Sequence, residues 1–280
     1  MLTDYHVHLR PDDLGAAATE HFTPENIDRY VEAAARAGVS ELGIAEHMYR
    51  FTEALTVWNH PFWEEWAIDD LDFYCDALVS SPVKVGIEAD YVAGAEEKLD
   101  RMLSPRPFDY VIGSVHFIGD KSIDTEEFTV WDDTGDADEI WRRYFETIAM
   151  AARSGLFDIL AHPDLVKVWG RARQMPSKDL RFFYEPAIEA IAETGVTVEV
   201  STAGLRKAVG EIYPAPGFME MCVEAGAPFA LSSDAHEPGQ IGFEYPTALD
   251  FLRDHGVDEI SVFEGRKRVA TALTPVANES

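Results

Sequence analysis

The sequence predicts an α/β fold in which a parallel sheet closes into a barrel. Short apolar segments rich in β-branched residues alternate with amphipathic stretches of helical length. Such alternation is typical of a parallel sheet, and seven or eight successive units favour closure into a barrel. The length of 280 residues suits one barrel, so we expect a single domain over residues 1–280 with a tail that is disordered from about residue 274.

Seven segments with the character of buried strands follow one another along the chain. They cover residues 2–8, 41–47, 83–90, 109–116, 158–164, 197–202 and 228–236, with residues 259–263 as an eighth candidate. Helices are predicted from Thr23 or Pro24 to Gly38 and over residues 140–155, 180–195 and 218–226. Pro24 suits a first helical turn, and all four stretches end at a glycine, which favours helix termination.

The composition excludes several classes of function. Lys and Arg total 23 against 51 Asp and Glu, and the charge of −28 at pH 7 opposes binding to nucleic acid or to anionic membrane surfaces. Most of this acidic surface is expected simply to keep the protein in solution. Cys75 and Cys222 lie far apart, which disfavours a disulfide or a thiolate metal site. Because no segment resembles a signal peptide or a membrane span, we expect a cytoplasmic protein.

The first predicted strand ends in DYHVH, where His6 and His8 point to the same face because side chains alternate along a strand. Two adjacent imidazoles suit a metal ion, although a polar strand end would also accommodate two solvated histidines. Other predicted strands end in residues of the same kinds. The histidines and carboxylates at strand ends are His6, His8, Glu46, His47, Glu88, Asp90, His116, His162, Asp164, Asp234 and His236.

In a parallel barrel, all of these strand ends lie at the C-terminal mouth, where such folds place their active sites. Six of the nine histidines fall there, a distribution that scattered surface histidines would not produce. Imidazole and carboxylate ligands without thiolate suit Zn, Mn, Fe or Co. The residues alone therefore predict a metal centre at the barrel mouth.

These strand ends resemble the motifs of the polymerase and histidinol phosphatase (PHP) superfamily, and most of all those of its monofunctional histidinol-phosphate phosphatases. The matching segments occur in order from Asp4 to about Gly242. They are DYHVH, AEH, GIEADY, YVIGSVHF, LAHPDL, STAGLR, EIYPAP and LSSDAHEP. The resemblance implies a distorted (β/α)7 barrel, similar to a TIM barrel, that holds three divalent metal ions.

The resemblance also implies which residues hold each ion. The first ion would be held by His6, His8, Glu88 and Asp234. The second would be held by His47, His236 and an acidic residue of the first loop. The third would be held by His116, His162 and Glu88, which would bridge two ions.

The first loop departs from the pattern of the resembling phosphatases, which usually have a histidine near position 14. This chain has the sequence RPDDL over residues 10–14. An aspartate can replace a histidine as a ligand and offers a harder oxygen donor. We expect Asp13 to be this ligand, with Asp12 as the alternative.

The resemblance implies a hydrolase that removes phosphate from a small phosphate monoester, with L-histidinol phosphate as the expected substrate and a metal-bound hydroxide as the nucleophile. The expected catalytic residues are Glu88, Asp234, His236 and Arg206. Arg206 and Lys167 match positions that contact the substrate phosphate in the family, although solvation or a salt bridge would also explain either cation. The alternatives are a hydrolase of the same barrel acting on another small phosphate ester or an amide, and a metal-binding protein without catalysis.

Several residues near the predicted centre have supporting roles in this interpretation. Glu46 and Asp90 are expected to orient neighbouring ligands or to pack in the barrel, and Asp164 to support His162 or cap a helix. The aromatic stretch VWNHPFWEEWAIDD, residues 57–70, is expected to pack in the core, with a lid over the metal site as the alternative.

Overall fold

A ring of parallel strands forms the centre of the fold. The computed structural model describes residues 1–12, 18–132 and 135–273, and the predicted tail from about residue 274 lies outside them. The strands are β1 (Thr3–Asp4), β2 (Glu41–Ile44), β3 (Lys84–Val85), β4 (Glu88–Asp90), β5 (Ile112–Ser114), β6 (Phe117–Ile118), β7 (Lys121–Ser122), β8 (Ile159–Leu160), β9 (Thr197–Ser201), β10 (Phe229–Ser232), β11 (Glu259–Glu264) and β12 (Lys267–Ala272). The helices are α1 (Ala18–His21), α2 (Pro24–Arg36), α3 (Pro61–Trp66), α4 (Leu71–Val79), α5 (Glu96–Leu103), α6 (Ala137–Arg153), α7 (Leu180–Thr194), α8 (Pro216–Glu224) and α9 (Tyr245–Asp254).

Backbone hydrogen bonds join seven strand positions into this ring. Strands β1, β2 and β3 pair in parallel, and β4, β5, β8, β9 and β10 form a second parallel set in that order. β3 and β4 belong to one extended segment, because the amide of Gly86 donates to the carbonyl of Ile44 at the end of β2 and the amide of Glu88 donates to the carbonyl of Glu46. The amide of His8 donates to the carbonyl of Ala235 at 2.7 Å, which joins β10 to β1. The predicted α/β fold is confirmed, and this ring corresponds to the predicted (β/α)7 barrel.

Local sequence explains where these elements begin and end. β9 has the sequence TVEVS, rich in β-branched residues, and all of it is buried. α2 begins at Pro24 with Thr23 as its N-cap, whose side chain accepts a hydrogen bond from the amide of Asn26. Gly38 follows with a φ of 75°, a conformation that glycine adopts without strain. The helix thus lies where its capping residues predict it.

The eighth candidate segment is a strand, but it lies outside the ring. β11 pairs antiparallel with β12 along the whole of both strands. The chain turns back after Glu264 within two residues, and only an antiparallel pair can be joined so tightly. The turn bonds to Asp109, which precedes β5, and Phe263 packs beside Tyr110 inside the barrel. The hairpin therefore covers the N-terminal end of the barrel, opposite the predicted metal centre.

Tyr110 fills the barrel interior below the strand ends. Its hydroxyl donates to the carbonyl of Tyr5 at 2.6 Å. A Cβ on Gly43 would lie 2.2 Å from this side chain, and a Cβ on Gly86 would lie 2.3 Å from it. The two glycines therefore make room for a large aromatic ring inside the barrel, so polar chemistry is confined to the C-terminal mouth.

The longer helices pack outside the ring. α6 buries Trp141, Tyr144 and Phe145 on one side and packs against α7. α7 begins at Leu180 and is followed by Gly195 in the left-handed conformation, as the sequence predicts. Across the described ranges, none of the helices combines the length and the apolar composition needed to cross a membrane.

Candidate metal centre

The predicted metal ligands in the described residues come together at the C-terminal ends of the strands. His6 and His8 follow β1, Glu88 begins β4, and Asp234 follows β10. The histidines after β2, β5, β8 and β10 join them. The ligands gathered there are His6, His8, His47, Glu88, His116, His162, Asp234 and His236. All of these residues are buried except His236, which is half-buried.

Strained backbone directs two of these ligands. His162 has a φ of 23° and Asp234 a φ of 51°, values that residues other than glycine seldom adopt. Such conformations cluster at functional sites, because the surrounding structure must enforce them. Asp4 provides part of this enforcement, since its carboxylate accepts hydrogen bonds from the amide of Ser233 at 2.9 Å and from its hydroxyl at 2.6 Å. The chain is therefore held in place immediately before Asp234.

Glu88 lies at the centre of the cluster. Its Oε1 is 3.2 Å from Nε2 of His162 and 3.4 Å from Nε2 of His116. Its Oε2 is 3.4 Å from Nε2 of His6 and also contacts Nδ1 of His47. The two oxygens of one carboxylate thus face two separate pairs of imidazoles.

Among the described residues, three groups of side chains have ligand atoms within 4.8 Å of one another, which is close enough to share an ion. These groups are His6, Glu88 and His162; His6, His8 and Asp234; and His8, His47 and His236. Oδ1 of Asp234 lies 3.3 Å from Nε2 of His8 and 3.7 Å from Nε2 of His6. Because the groups share members, ions held there would be close neighbours.

Buried atoms without hydrogen-bond partners indicate that the cluster fits divalent metal ions. Such atoms are His6 Nε2, His8 Nε2 and Asp234 Oδ1, together with His47 Nδ1 and Glu88 Oε2, which contact each other without forming a hydrogen bond. A buried polar atom without a partner costs free energy, and each of these atoms can offer an electron pair to a cation. Burial raises the pKa of Glu88, but His47, His6 and His116 outweigh it and hold that pKa well below its usual range. The carboxylate form that is favoured in this way is also the form that binds a metal ion.

A buried carboxylate that the sequence analysis missed, Glu199, supports two of the ligands. Its Oε1 accepts hydrogen bonds from Nδ1 of His6 at 2.8 Å and from the hydroxyl of Ser232 at 2.6 Å. Its Oε2 accepts one from the amide of His162 at 2.6 Å. The signal in the sequence is a single acidic residue within the strand TVEVS, because a charge in a buried strand needs partners.

Two other carboxylates lie beside ligands as expected, and a third does not. Oδ1 of Asp90 accepts a hydrogen bond from Nδ1 of His116 at 2.7 Å, which leaves Nε2 facing Glu88. Although burial acts in the opposite direction, the charges of Asp90 and Glu88 raise the pKa of His116 to about 10. Oε2 of Glu46 lies 3.7 Å from Nδ1 of His8. Oδ2 of Asp164 instead accepts a hydrogen bond from the amide of Ala215 at 2.7 Å, so this carboxylate supports a different segment.

The first loop brings Asp12 to the cluster. Its Oδ2 is 3.4 Å from Nε2 of His236, while its Oδ1 pairs with the buried guanidinium of Arg50. Arg50 also donates to Oε2 of Glu46 at 2.6 Å, and Glu46 accepts hydrogen bonds from two amides of the first loop. Asp13, which we expected to be the ligand, lies outside the described residues. The described part of the loop therefore places the alternative, Asp12, beside a candidate ligand.

Arg206 lies against the chain that carries Asp234. Its Nη2 donates to the carbonyls of Ser233 and Asp234, each at 2.8 Å. Its Nη1 is buried and has no hydrogen-bond partner. Nη2 is thus held by the backbone, while Nη1 can still donate a hydrogen bond. Its expected contact with the substrate phosphate stays a prediction.

Lys167 forms the salt bridge that was its alternative interpretation. Its Nζ lies 3.0 Å from Asp164, 2.7 Å from Glu211 and 2.8 Å from the carbonyl of Ile212. These acceptors match the three donors of an ammonium group, so in this conformation none is left for a phosphate. Lys207, which the sequence analysis passed over, is exposed and lines the pocket described next.

A pocket of about 400 Å³ opens onto the cluster. Candidate ligands line one part of it: Asp12, His47, His116, His162, Asp234 and His236. Aromatic side chains line another part: Tyr49, Phe62, Trp66, Phe117, Trp169 and Tyr213. Phe62 and Trp66 belong to α3 within the aromatic stretch 57–70, whereas Trp63 of the same helix is fully buried. That stretch therefore packs in the core with one side and forms a wall of the pocket with the other.

Comparison with known proteins places these features in a family. A family model described as the PHP domain matches residues 20–203. A protein of Deinococcus radiodurans named "Probable histidinol-phosphatase" is 35% identical over 235 residues, covering 81% of this chain and 86% of that protein. The histidinol-phosphatase of Bacillus subtilis is 26% identical over 183 residues, covering 60% of this chain and 68% of that protein.

A solved structure shares the fold. The crystal structure of histidinol phosphate phosphatase from Lactococcus lactis subsp. lactis Il1403, complexed with Zn, L-histidinol and phosphate, has a TM-score of 0.72. The two chains are 20% identical in sequence, and the match covers 96% of this chain and 98% of that chain. The matches in sequence and in fold lead to one conclusion. The chain belongs to the PHP domain family.

Proposed function

We propose that this protein is a metal-dependent phosphatase that hydrolyses L-histidinol phosphate to L-histidinol and inorganic phosphate. The observation that carries the proposal is a pocket that opens onto the cluster in which both oxygens of Glu88 face imidazoles. Its relatives named histidinol-phosphatase, and the Lactococcus structure that contains zinc, L-histidinol and phosphate, support the choice of substrate.

We infer that the cluster binds three divalent ions, chosen from Zn, Mn, Fe and Co. The first would be held by His6, His8, Glu88 and Asp234. The second would be held by His47, His236 and Asp12. The third would be held by His116, His162 and Glu88. When bound, the ions would neutralise phosphoryl oxygens and lower the pKa of a water molecule.

The second of these sites contains Asp12, whereas the sequence led us to expect Asp13 as the ligand from the first loop. We assign Asp12 rather than Asp13 because Oδ2 of Asp12 lies 3.4 Å from Nε2 of His236. Its other oxygen pairs with Arg50, which leaves Oδ2 directed at the cluster. Arg50 thus orients the carboxylate without taking both of its oxygens.

The remaining roles belong to side chains that orient ligands or substrate. Glu199 and Asp90 hold His6 and His116 through Nδ1, which directs each Nε2 at the centre. Besides the ligands Glu88, Asp234 and His236, we assign Arg206 a catalytic role, because its unpartnered Nη1 can donate to a phosphoryl oxygen. The aromatic wall would exclude bulk water from the substrate and so strengthen the electrostatic interactions at the site.

The substrate assignment is tested by phosphate release from a panel of small esters, with the protein loaded separately with each candidate metal. We expect L-histidinol phosphate to give the highest kcat/KM. A higher kcat/KM for another small phosphate ester would change the assigned substrate, while the assigned reaction, hydrolysis of a phosphate monoester, would stand. Hydrolysis of amides without phosphate release would indicate an amidohydrolase, and inactivity of the metal-loaded protein on the whole panel would indicate a binding protein.

Two further predictions accompany the function. We propose that the protein acts in the cytoplasm, where the free thiols of Cys75 and Cys222 would stay reduced. We also propose that one domain carries the whole activity, because the ring draws ligands from strands spread between β1 and β10.

A further inference from the structure

In the described part of the chain, two charged side chains line the pocket without being candidate metal ligands, and their signs are opposite. Lys207 is exposed at the rim, and Asp124 is half-buried in the wall. Within the described ranges, the carboxylate of Asp124 accepts a hydrogen bond from the hydroxyl of Ser122 at 3.1 Å and forms no salt bridge, and its charge contributes to the raised pKa of His116. A carboxylate that lines a pocket without a salt bridge is available to a cationic ligand.

The loop that carries Asp124 is braced on several sides. The amide of Ile123 donates to the carbonyl of His116 at 2.8 Å, which ties the loop to a candidate ligand. The carbonyl of Ile123 accepts hydrogen bonds from two indoles, that of Trp169 at 2.7 Å and that of Trp131 at 3.2 Å. These hydrogen bonds hold the backbone beside Asp124 in place. The loop therefore loses little conformational entropy when Asp124 binds a ligand.

The proposed substrate has the matching charges. L-histidinol phosphate carries a dianionic phosphate at one end and an ammonium group and an imidazole at the other. The metal cluster and Lys207 suit the phosphate, while the aromatic wall and Asp124 suit a planar ring and a cation. A neutral ester of the same size would gain nothing from Asp124.

Building on the proposed function, we propose that Asp124 is a specificity-determining residue that binds the cationic end of the substrate. It would select phosphate monoesters that carry a positive charge near the ester over neutral ones. This assignment concerns recognition only, because the groups of ligand atoms found in the described ranges do not include Asp124.

The experiment compares wild type, Asp124→Asn and the control Glu127→Gln. Glu127 lies in the same loop but is exposed and outside the pocket, so its replacement removes one negative charge without touching the site. Steady-state kinetics are measured with L-histidinol phosphate and with p-nitrophenyl phosphate, which is neutral apart from its phosphate. Inhibition constants are measured for the two products, L-histidinol and inorganic phosphate.

We expect Asp124→Asn to raise KM for L-histidinol phosphate and the inhibition constant of L-histidinol by about 10- to 100-fold. KM for p-nitrophenyl phosphate and the inhibition constant of phosphate should stay within about twofold of wild type, and Glu127→Gln should resemble wild type throughout. Equal losses for both esters, or no loss for either, would overturn the role of Asp124 while leaving the proposed function standing. A wild-type enzyme that hydrolyses p-nitrophenyl phosphate but not L-histidinol phosphate would instead contradict the proposed function.

Discussion

Glu199 accepts a hydrogen bond from Nδ1 of His6 at 2.8 Å, and this buried pair determines which nitrogen of the imidazole faces Glu88 and Asp234. A histidine that donates from Nδ1 keeps the lone pair of Nε2 for a metal ion. The same carboxylate also accepts a hydrogen bond from the amide of His162. One residue in the middle of β9 therefore orients ligands carried by two other strands.

Replacing Glu199 by Gln should weaken metal binding. A glutamine has one acceptor oxygen, so it cannot accept from both His6 and the amide of His162 as the carboxylate does. We expect the apparent affinity for the added metal to fall about 10- to 100-fold, measured by competition with a chromophoric chelator. Glu193→Gln on the exposed end of α7 is the control, and it should bind metal as wild type does. Unchanged affinity in a folded Glu199→Gln protein would remove Glu199 from this role.

Glu88→Gln should reduce turnover more than the loss of any single histidine. Both oxygens of Glu88 face imidazoles, so the change affects two ion positions, whereas His162→Asn affects one. We expect kcat for L-histidinol phosphate to fall at least about 10-fold further in Glu88→Gln than in His162→Asn. Steady-state assays with both variants loaded with the same metal make the comparison. A similar or smaller loss in Glu88→Gln would contradict the bridging role.

Asp12→Asn should lower the metal content by about one ion per chain, because Oδ2 of Asp12 faces His236. Element analysis of the purified variant measures this directly. Asp13→Asn is the matched comparison, since it makes the same change at the neighbouring residue. Loss of an ion from Asp13→Asn with none lost from Asp12→Asn would assign the ligand to Asp13. Full metal content in both variants would show that the first loop does not bind metal.

Arg206→Ala should raise KM for L-histidinol phosphate by about 10- to 100-fold, the loss expected for a charge-assisted hydrogen bond to phosphate. The motivating observation is the buried Nη1 without a partner beside the chain of Asp234. Arg181→Ala, at an exposed ion pair on α7, serves as the control. A fall in kcat with KM unchanged would mean that Arg206 acts only by holding the backbone of Ser233 and Asp234.

The sequence was informative wherever the chemistry depended on local periodicity. His6 and His8 share a face because side chains alternate along a strand, and the barrel then brings strand ends into one mouth. The start of α2 followed from Thr23 and Pro24, whose capping preferences are local as well. Such features need no knowledge of which distant segments meet.

Other features depended on pairings that no local pattern reveals. Glu199 lies 193 residues from His6, and its acidic side chain finds its partner only because the ring closes. Lys167 is neutralised by Glu211, 44 residues later, so its availability to phosphate could not be judged from its position after His162. The position of Lys207 in the wall of the pocket was likewise not predictable from the sequence, because it depends on how distant segments fold together.

The central claim is that the metal ions held by this cluster are required for hydrolysis of L-histidinol phosphate. The most direct measurement is phosphate release before chelation, after chelation, and after addition of Zn, Mn, Fe or Co, with the metal content of each sample determined by element analysis. We expect the protein freed of metal to be inactive and at least one of these ions to restore activity as the metal content rises towards three ions per chain. Full activity in protein verified to contain no metal would contradict the claim.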